Sequence, residues 1–165
     1  MCSGLSSRDR FWPEGKTAMS SLHHVLHPKS WKRAAGYSNG IAASGRLIFC
    51  GGMVGWNADQ LFESDDFIAQ AEQTLRNIVA VLAEAGAGPE HLVRLTWYVI
   101  DKAEYLSRVA GLGRVYRNVI GRHYPAMALV QVVGLVEDRA KIEIEATAVI
   151  PEERGHEASR AITGA

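Results

Sequence analysis

The sequence predicts an α+β fold of two layers, a mixed sheet with two helices packed on one face, and three observations carry that expectation. Two long stretches repeat apolar residues at spacings of three and four, several shorter ones alternate apolar with polar residues, and the stretches follow one another in the order ββαβαββ. At 165 residues, with 47% apolar and 22% charged content, the chain suits one globular domain, expected over residues 29–151. Residues 1–28 show no apolar periodicity and are expected to form a flexible extension, with Met19 as a second candidate start. Residues 152–165, polar and rich in small residues, are expected to form a flexible tail.

Each element has its own signal. Gly36 to Gly55, "GYSNGIAASGRLIFCGGMVG", contains two extended runs separated by Ser44-Gly45 and reads as a hairpin. Ser64 is placed to cap a helix whose first turn would gain from the negative charge of Asp65 and Asp66. Ile68, Ala71, Leu75, Ile78 and Leu82 then fall on one stripe, and Gly86 closes it. In "LVRLTWYVI", residues 92–100, Val93, Leu95, Trp97 and Val99 alternate against Arg94, Thr96 and Tyr98, which predicts a strand. Asp101 and Glu104 cap a second helix with Leu106, Val109, Leu112, Tyr116 and Val119 on its apolar face, ending at Gly121. Gly111 and Gly113 weaken its middle. Strands are expected from Met127 to Leu135 and from Lys141 to Ile150, the last with Ile142, Ile144, Ala146 and Ala148 against Glu143, Glu145, Thr147 and Val149. Two helices on one side leave the other sheet face uncovered. A large exposed apolar face marks an interface, so a closed homo-oligomer is expected.

Composition narrows the function. Eighteen Lys plus Arg balance eighteen Asp plus Glu, so the electrostatic footprint of nucleic-acid binding is missing and no nucleic-acid partner is expected. Nor is a membrane partner, since no run approaches the ~18 apolar residues of a membrane span. Two cysteines, Cys2 in a polar stretch and Cys50 in an apolar run, do not make a disulfide scaffold and point to a reducing cytoplasm.

Few residues qualify for chemistry on pattern alone. Glu143 and Glu145 stand two apart on a strand and so share a face. On a buried face one of them would act as an acid or base near neutral pH; on a solvated face both are ordinary surface carboxylates, which spacing alone favours. His23, His24 and His27 lack the companion ligands of a metal site, and no metal is expected. Gly111-Leu112-Gly113 lies inside a helical pattern and is no phosphate loop. Cys50 reads as an inert core thiol sooner than a nucleophile. Tyr37 and Trp56 sit in loop-like contexts, where they either wall a pocket or cap the core.

Taken together, "GYSNGI", "RLIFCGGMVG", "AEQTLRNIVAVLAEAG", "LVRLTWYVID", "HYPAM" and "KIEIEATAV" resemble the RidA/YjgF family of reactive-intermediate deaminases, also known as the YER-UK or L-PSP endoribonuclease family. The resemblance runs from about Gly36 to Pro151, and "KIEIEATAV" is its most specific part. It implies a chorismate-mutase-like fold, a homotrimer with a central barrel, and a small-molecule cleft at each subunit interface. It also implies cofactor-free hydrolysis of an enamine or imine acid to a 2-keto acid and ammonia. By the same resemblance Glu143 becomes the catalytic carboxylate that positions the hydrolytic water or shuttles its proton, Tyr37 the aromatic residue of the N-terminal loop, and Glu145 a structural residue.

Other positions depart from the family pattern. The arginine that clamps the substrate carboxylate, a task suited to guanidinium geometry, is Met127 here. Gly51, Met53 and Gly113 stand where a small hydroxyl residue, a glutamine and an asparagine are common in the family. The resemblance therefore implies a divergent member whose cleft, lined by Tyr37, Gly51, Met53, Trp56, Gly113 and Met127, takes an imine or enamine bulkier than 2-aminoacrylate or less dependent on that clamp. Arg122 and His123 are candidates for a replacement charge. The rival expectation is a non-catalytic trimer that binds a small metabolite or a partner protein through the same clefts.

Overall fold

Alternating apolar residues from 142 to 150 make the strand around which the rest of the chain assembles. In the computed structural model, which describes residues 22–152, the elements are strands His24–Leu26 (β1), Gly40–Ala42 (β2) and Arg46–Val54 (β3), helix Phe67–Glu84 (α1), strand Leu92–Val99 (β4), helix Lys102–Val119 (α2), and strands Ala126–Gln131 (β5) and Ile142–Ile150 (β6). Cys2, Met19 and residues 153–165 lie outside the described residues. A four-stranded sheet has the order β3-β6-β4-β5. Strand β6 is antiparallel to both its neighbours, and β4 runs parallel to β5 across the α2 crossover, so the sheet is mixed. The expected α+β class stands.

Burial follows the alternation. Ile142, Ile144, Ala146 and Ala148 of β6 are enclosed under the helices together with Leu95, Trp97 and Val99 of β4. Their partners in the core are Ala71, Leu75, Ile78 and Leu82 of α1 and Leu112, Val115 and Tyr116 of α2. Removing these side chains from water, at roughly 25 cal/mol per Å² of apolar surface, is the main force holding the two layers together.

The helix ends differ slightly from expectation. Asp66, not Ser64, is the N-cap of α1: its carboxylate accepts from Ile68 N at 2.9 Å and Ala69 N at 3.0 Å. Ser64 Oγ accepts from Asp66 N instead, two residues too early to cap the helix. At the far end Gly86 takes φ +71°, Gly86 N donates to Ala83 O, and Ala87 N donates to Leu82 O, the paired bonds of a Schellman ending. In α2 the Asp101 carboxylate caps Ala103 N and Glu104 N as expected. Leu106 is exposed; Tyr105, on the stripe that continues to Leu112, packs edge-on against Phe67. Gly111 has a packing role, since a Cβ there would press on Ile68 of α1.

The expected hairpin does not form. Strand β2 pairs with β1, from a stretch expected to be a flexible extension, while β3 pairs with β6. Three exposed residues carry no alternation to read, so β1 left no mark in the sequence pattern. Ser44-Gly45 does turn the chain: Gly45 has φ +142°, and a Cβ there would collide with the Ile150 carbonyl. The strand expected to reach Leu135 stops at Gln131, where the register with β4 ends and Val133 becomes fully exposed.

Candidate active site

Glu143 and Glu145 share the sheet face turned away from the helices, along with Arg94, Thr96 and Tyr98 of β4. Tyr98 is the cross-strand partner of Glu143 and donates its hydroxyl to Glu145 Oε2 at 3.0 Å. That hydrogen bond, with the charges of both carboxylates, pushes the phenol above its usual range. Glu145 thus has a protein partner, while Glu143 is half-buried and forms no hydrogen bond with a described residue. A bulge in β3 explains its seat. Gly51 and Gly52 together oppose Glu145, and a Cβ at Gly52 would collide with the Glu143 carboxyl, so only glycine leaves room for it. The expected site residue Gly51 borders open space, with nothing within 4 Å of a Cβ built there.

A second group gathers where β5 begins. Ser38, next to Tyr37, forms a parallel bridge to Ala126; its N donates to Pro125 O at 2.9 Å and its Oγ to Tyr124 O at 2.6 Å. Tyr37 is thereby held beside the strand that carries Met127. Met127 pairs with Leu95 and packs, half-buried, against the helix side of the sheet, as does Leu129. Tyr124 stacks on Tyr116 at 5.9 Å, and the Tyr116 hydroxyl donates to His123 O at 2.7 Å.

The remaining expected residues scatter around these two groups. Met53 packs against the core on the helix side. Trp56 is half-buried in the loop after β3: Asn77 Nδ2 donates to its carbonyl at 2.8 Å, and its ring lies 6.1 Å from that of Phe62. The loop is drawn in because Gly55 touches α1 at Gln70, where a Cβ would not fit. Gly113 is buried within α2. Glu143 and Met127 stand on opposite faces, two strands apart at about 4.8 Å per strand. One chain does not unite them.

Reading by pattern overlooked Ser38, Gly52 and Tyr98. Only Tyr98 had a legible signal, since its alternation with Trp97 sets it on the carboxylate face. Among the histidines, His27 Nε2 donates to Trp31 O at 3.0 Å and its Nδ1 accepts from Asn39 Nδ2 at 3.1 Å. Burial pushes the Cys50 thiol up, as for a core residue. Among the described residues no helix is long and apolar enough to cross a membrane.

Comparison with known proteins gives this arrangement a family. The model of the family described as Endoribonuclease L-PSP matches residues 28–150. The chain belongs to this family, the RidA/YjgF proteins. Within the RidA/YjgF family, it is 32% identical over 136 residues to the protein DfrA of Myxococcus xanthus, covering 81% of this chain and 98% of that one. It is 33% identical to the RutC family protein y4sK of Sinorhizobium fredii, with 74% and 96% covered. Among solved structures it resembles the Rid family protein YyfB of Yersinia pestis, at 31% identity and a TM-score of 0.70 over 78% of this chain and 98% of that one. The RidA of an Antarctic Psychrobacter shares the fold at 28% identity and a TM-score of 0.56, with 76% and 98% covered.

Proposed function

We propose that this RidA/YjgF protein is a deaminase that hydrolyses an enamine or imine larger than 2-aminoacrylate, in a cleft closed by a neighbouring copy in a homotrimer. The observation that carries this reading is the seat of Glu143: a half-buried carboxylate, with no hydrogen bond to a described residue, held over a glycine that admits no side chain. Such a group accepts a proton from water as the water oxygen bonds to the imine carbon. That proton passes to the nitrogen to give a carbinolamine, the hydroxyl proton then moves to the nitrogen as the C–N bond breaks, and ammonia leaves a carbonyl compound behind. No cofactor is required. The homotrimer rests on the open face, where Phe49 is 74% and Leu47 56% exposed. With Glu143 and Met127 on opposite faces, a second copy completes the cleft. The balance of charge supports a small-molecule substrate over a nucleic acid, and the sparse cysteines support a cytoplasmic setting.

Met127 favours a second reading, a binding protein without turnover, because methionine pairs with no carboxylate. One assay separates the two. 2-Aminoacrylate and a panel of larger imino acids are generated in situ and offered to wild type, Met127→Arg and Glu143→Ala. The hydrolase reading expects wild type to speed loss of a larger imine and Glu143→Ala to lose that activity by roughly 10²-fold or more, the scale of a general base. If wild type hydrolyses nothing above background, the binding reading replaces it. Gain of 2-aminoacrylate turnover by Met127→Arg would mark the rest of the machinery as intact.

A further inference from the structure

The last turns of α2 carry an arginine that its fold leaves unpaired. Arg117 is half-buried, its Nη1 is wholly shielded from solvent, and no described residue accepts a hydrogen bond from that atom. No described carboxylate forms an ion pair with it, whereas Arg76, Arg108 and Arg139 each have one. A guanidinium retains its charge at any ordinary pH, and leaving one of its N–H groups buried without an acceptor is costly. Such an orphan calls for an explanation, and a partner that arrives with a ligand supplies one.

Its surroundings identify that ligand's chemistry. Arg117 lies within electrostatic reach of the Tyr124 hydroxyl, which burial pushes up and which Arg117 and the exposed Arg122 draw partly back. Tyr124 stacks on Tyr116, the residue before Arg117, and leads through Pro125 into the half-exposed apolar shelf of Met127 and Leu129. Trp97, whose ring is 6.3 Å from that of Tyr116, is 2% exposed and also carries a buried N–H with no acceptor among the described residues. A cation, a phenol and an apolar shelf suit a molecule with an acid group at one end and a hydrocarbon body at the other.

We infer that Arg117 binds the carboxylate of the cleft's ligand, taking from the helix the role that Met127 on the strand does not fill. This deepens the hydrolase reading by making its substrate a bulky imino acid, and it rests on that reading only for calling the ligand a substrate.

Calorimetric titration of the full-length protein tests it without turnover, using phenylpyruvate as a bulky 2-keto acid and its methyl ester as the uncharged counterpart. Wild type is expected to bind the acid about tenfold or more tightly than the ester, the scale of a charge-assisted contact. Arg117→Met should erase the preference and leave the ester affinity in place, Arg117→Lys should keep part of it, and Arg122→Ala all of it. A wild-type preference that survives in Arg117→Met overturns the inference, as does failure of wild type to bind the acid. A lower oligomeric mass of Arg117→Met by light scattering also overturns it, since Arg117 would then be an interface residue. Binding through Arg117 with no imine turnover keeps this inference and removes the hydrolase reading; turnover indifferent to Arg117 does the reverse.

Discussion

On the helix side of the sheet Ile142, Ile144 and Ala148 are fully enclosed, whereas on the opposite side Phe49 is 74% exposed. Both faces belong to the same strands and both contain large apolar side chains. The first is completed by the chain's own helices, so its residues stabilise the single subunit. The second has no cover within one chain, and its apolar residues contribute once another surface meets them. The carboxylates sit on this uncovered side, between Tyr98 and the bulge in β3, so the candidate chemistry and the candidate interface occupy one face.

The contrast can be broken most forcefully from the enclosed side. Ile144→Ala should cost about 2–5 kcal/mol of unfolding free energy, measured by urea denaturation, because it opens a cavity among Met53, Trp97 and the helices. Phe49→Ser should do something different in kind. Its subunit keeps a native circular dichroism spectrum while its mass by analytical ultracentrifugation falls; an unchanged mass would remove Phe49 from the interface.

Asp66 offers a smaller effect on the helix layer. Arg108, bonded to it at 2.7 Å, and the capped backbone N–H groups hold this carboxyl below its usual range. A lowered folded pKa means that its contribution is complete above the unfolded carboxylate value and is lost as pH falls through the folded one. Asp66→Ala should therefore lose about 1 kcal/mol near neutral pH, as for other N-caps, with the gap from wild type closing in acid. Arg76→Ala, which removes the exposed i,i+4 pair with Glu72, should cost no more than about 0.5 kcal/mol in the same denaturation experiment.

Legibility in the sequence followed periodicity. The β6 alternation, the α1 stripe and the Asp101 cap were all readable because local pattern and tertiary burial agree there. Strand β1 was not, being three exposed residues long, and neither was its pairing with β2, which depends on residues outside the apparent hairpin. The site was legible only in part. Two-residue spacing set Glu143 and Glu145 on one face, and the family resemblance singled out Glu143. Nothing in the spacing of Met127 told which side of the sheet it takes, because an edge strand only half-buried on its helix side carries weak alternation. Arg117 was invisible for a related reason: a polar residue near a helix end looks solvated until its neighbours are placed.

The contact of Ser38 with the start of β5 has a kinetic consequence. Its hydroxyl meets a carbonyl 86 residues further along the chain, so the contact closes a long loop for the gain of a few hydrogen bonds. It should form late in folding, after β4 and β5 have paired, and open early in native-state hydrogen exchange. The Ser38 amide should accordingly exchange faster than those of β4 and β6, by excursions that leave the sheet intact and release Tyr37 from the strand beside it.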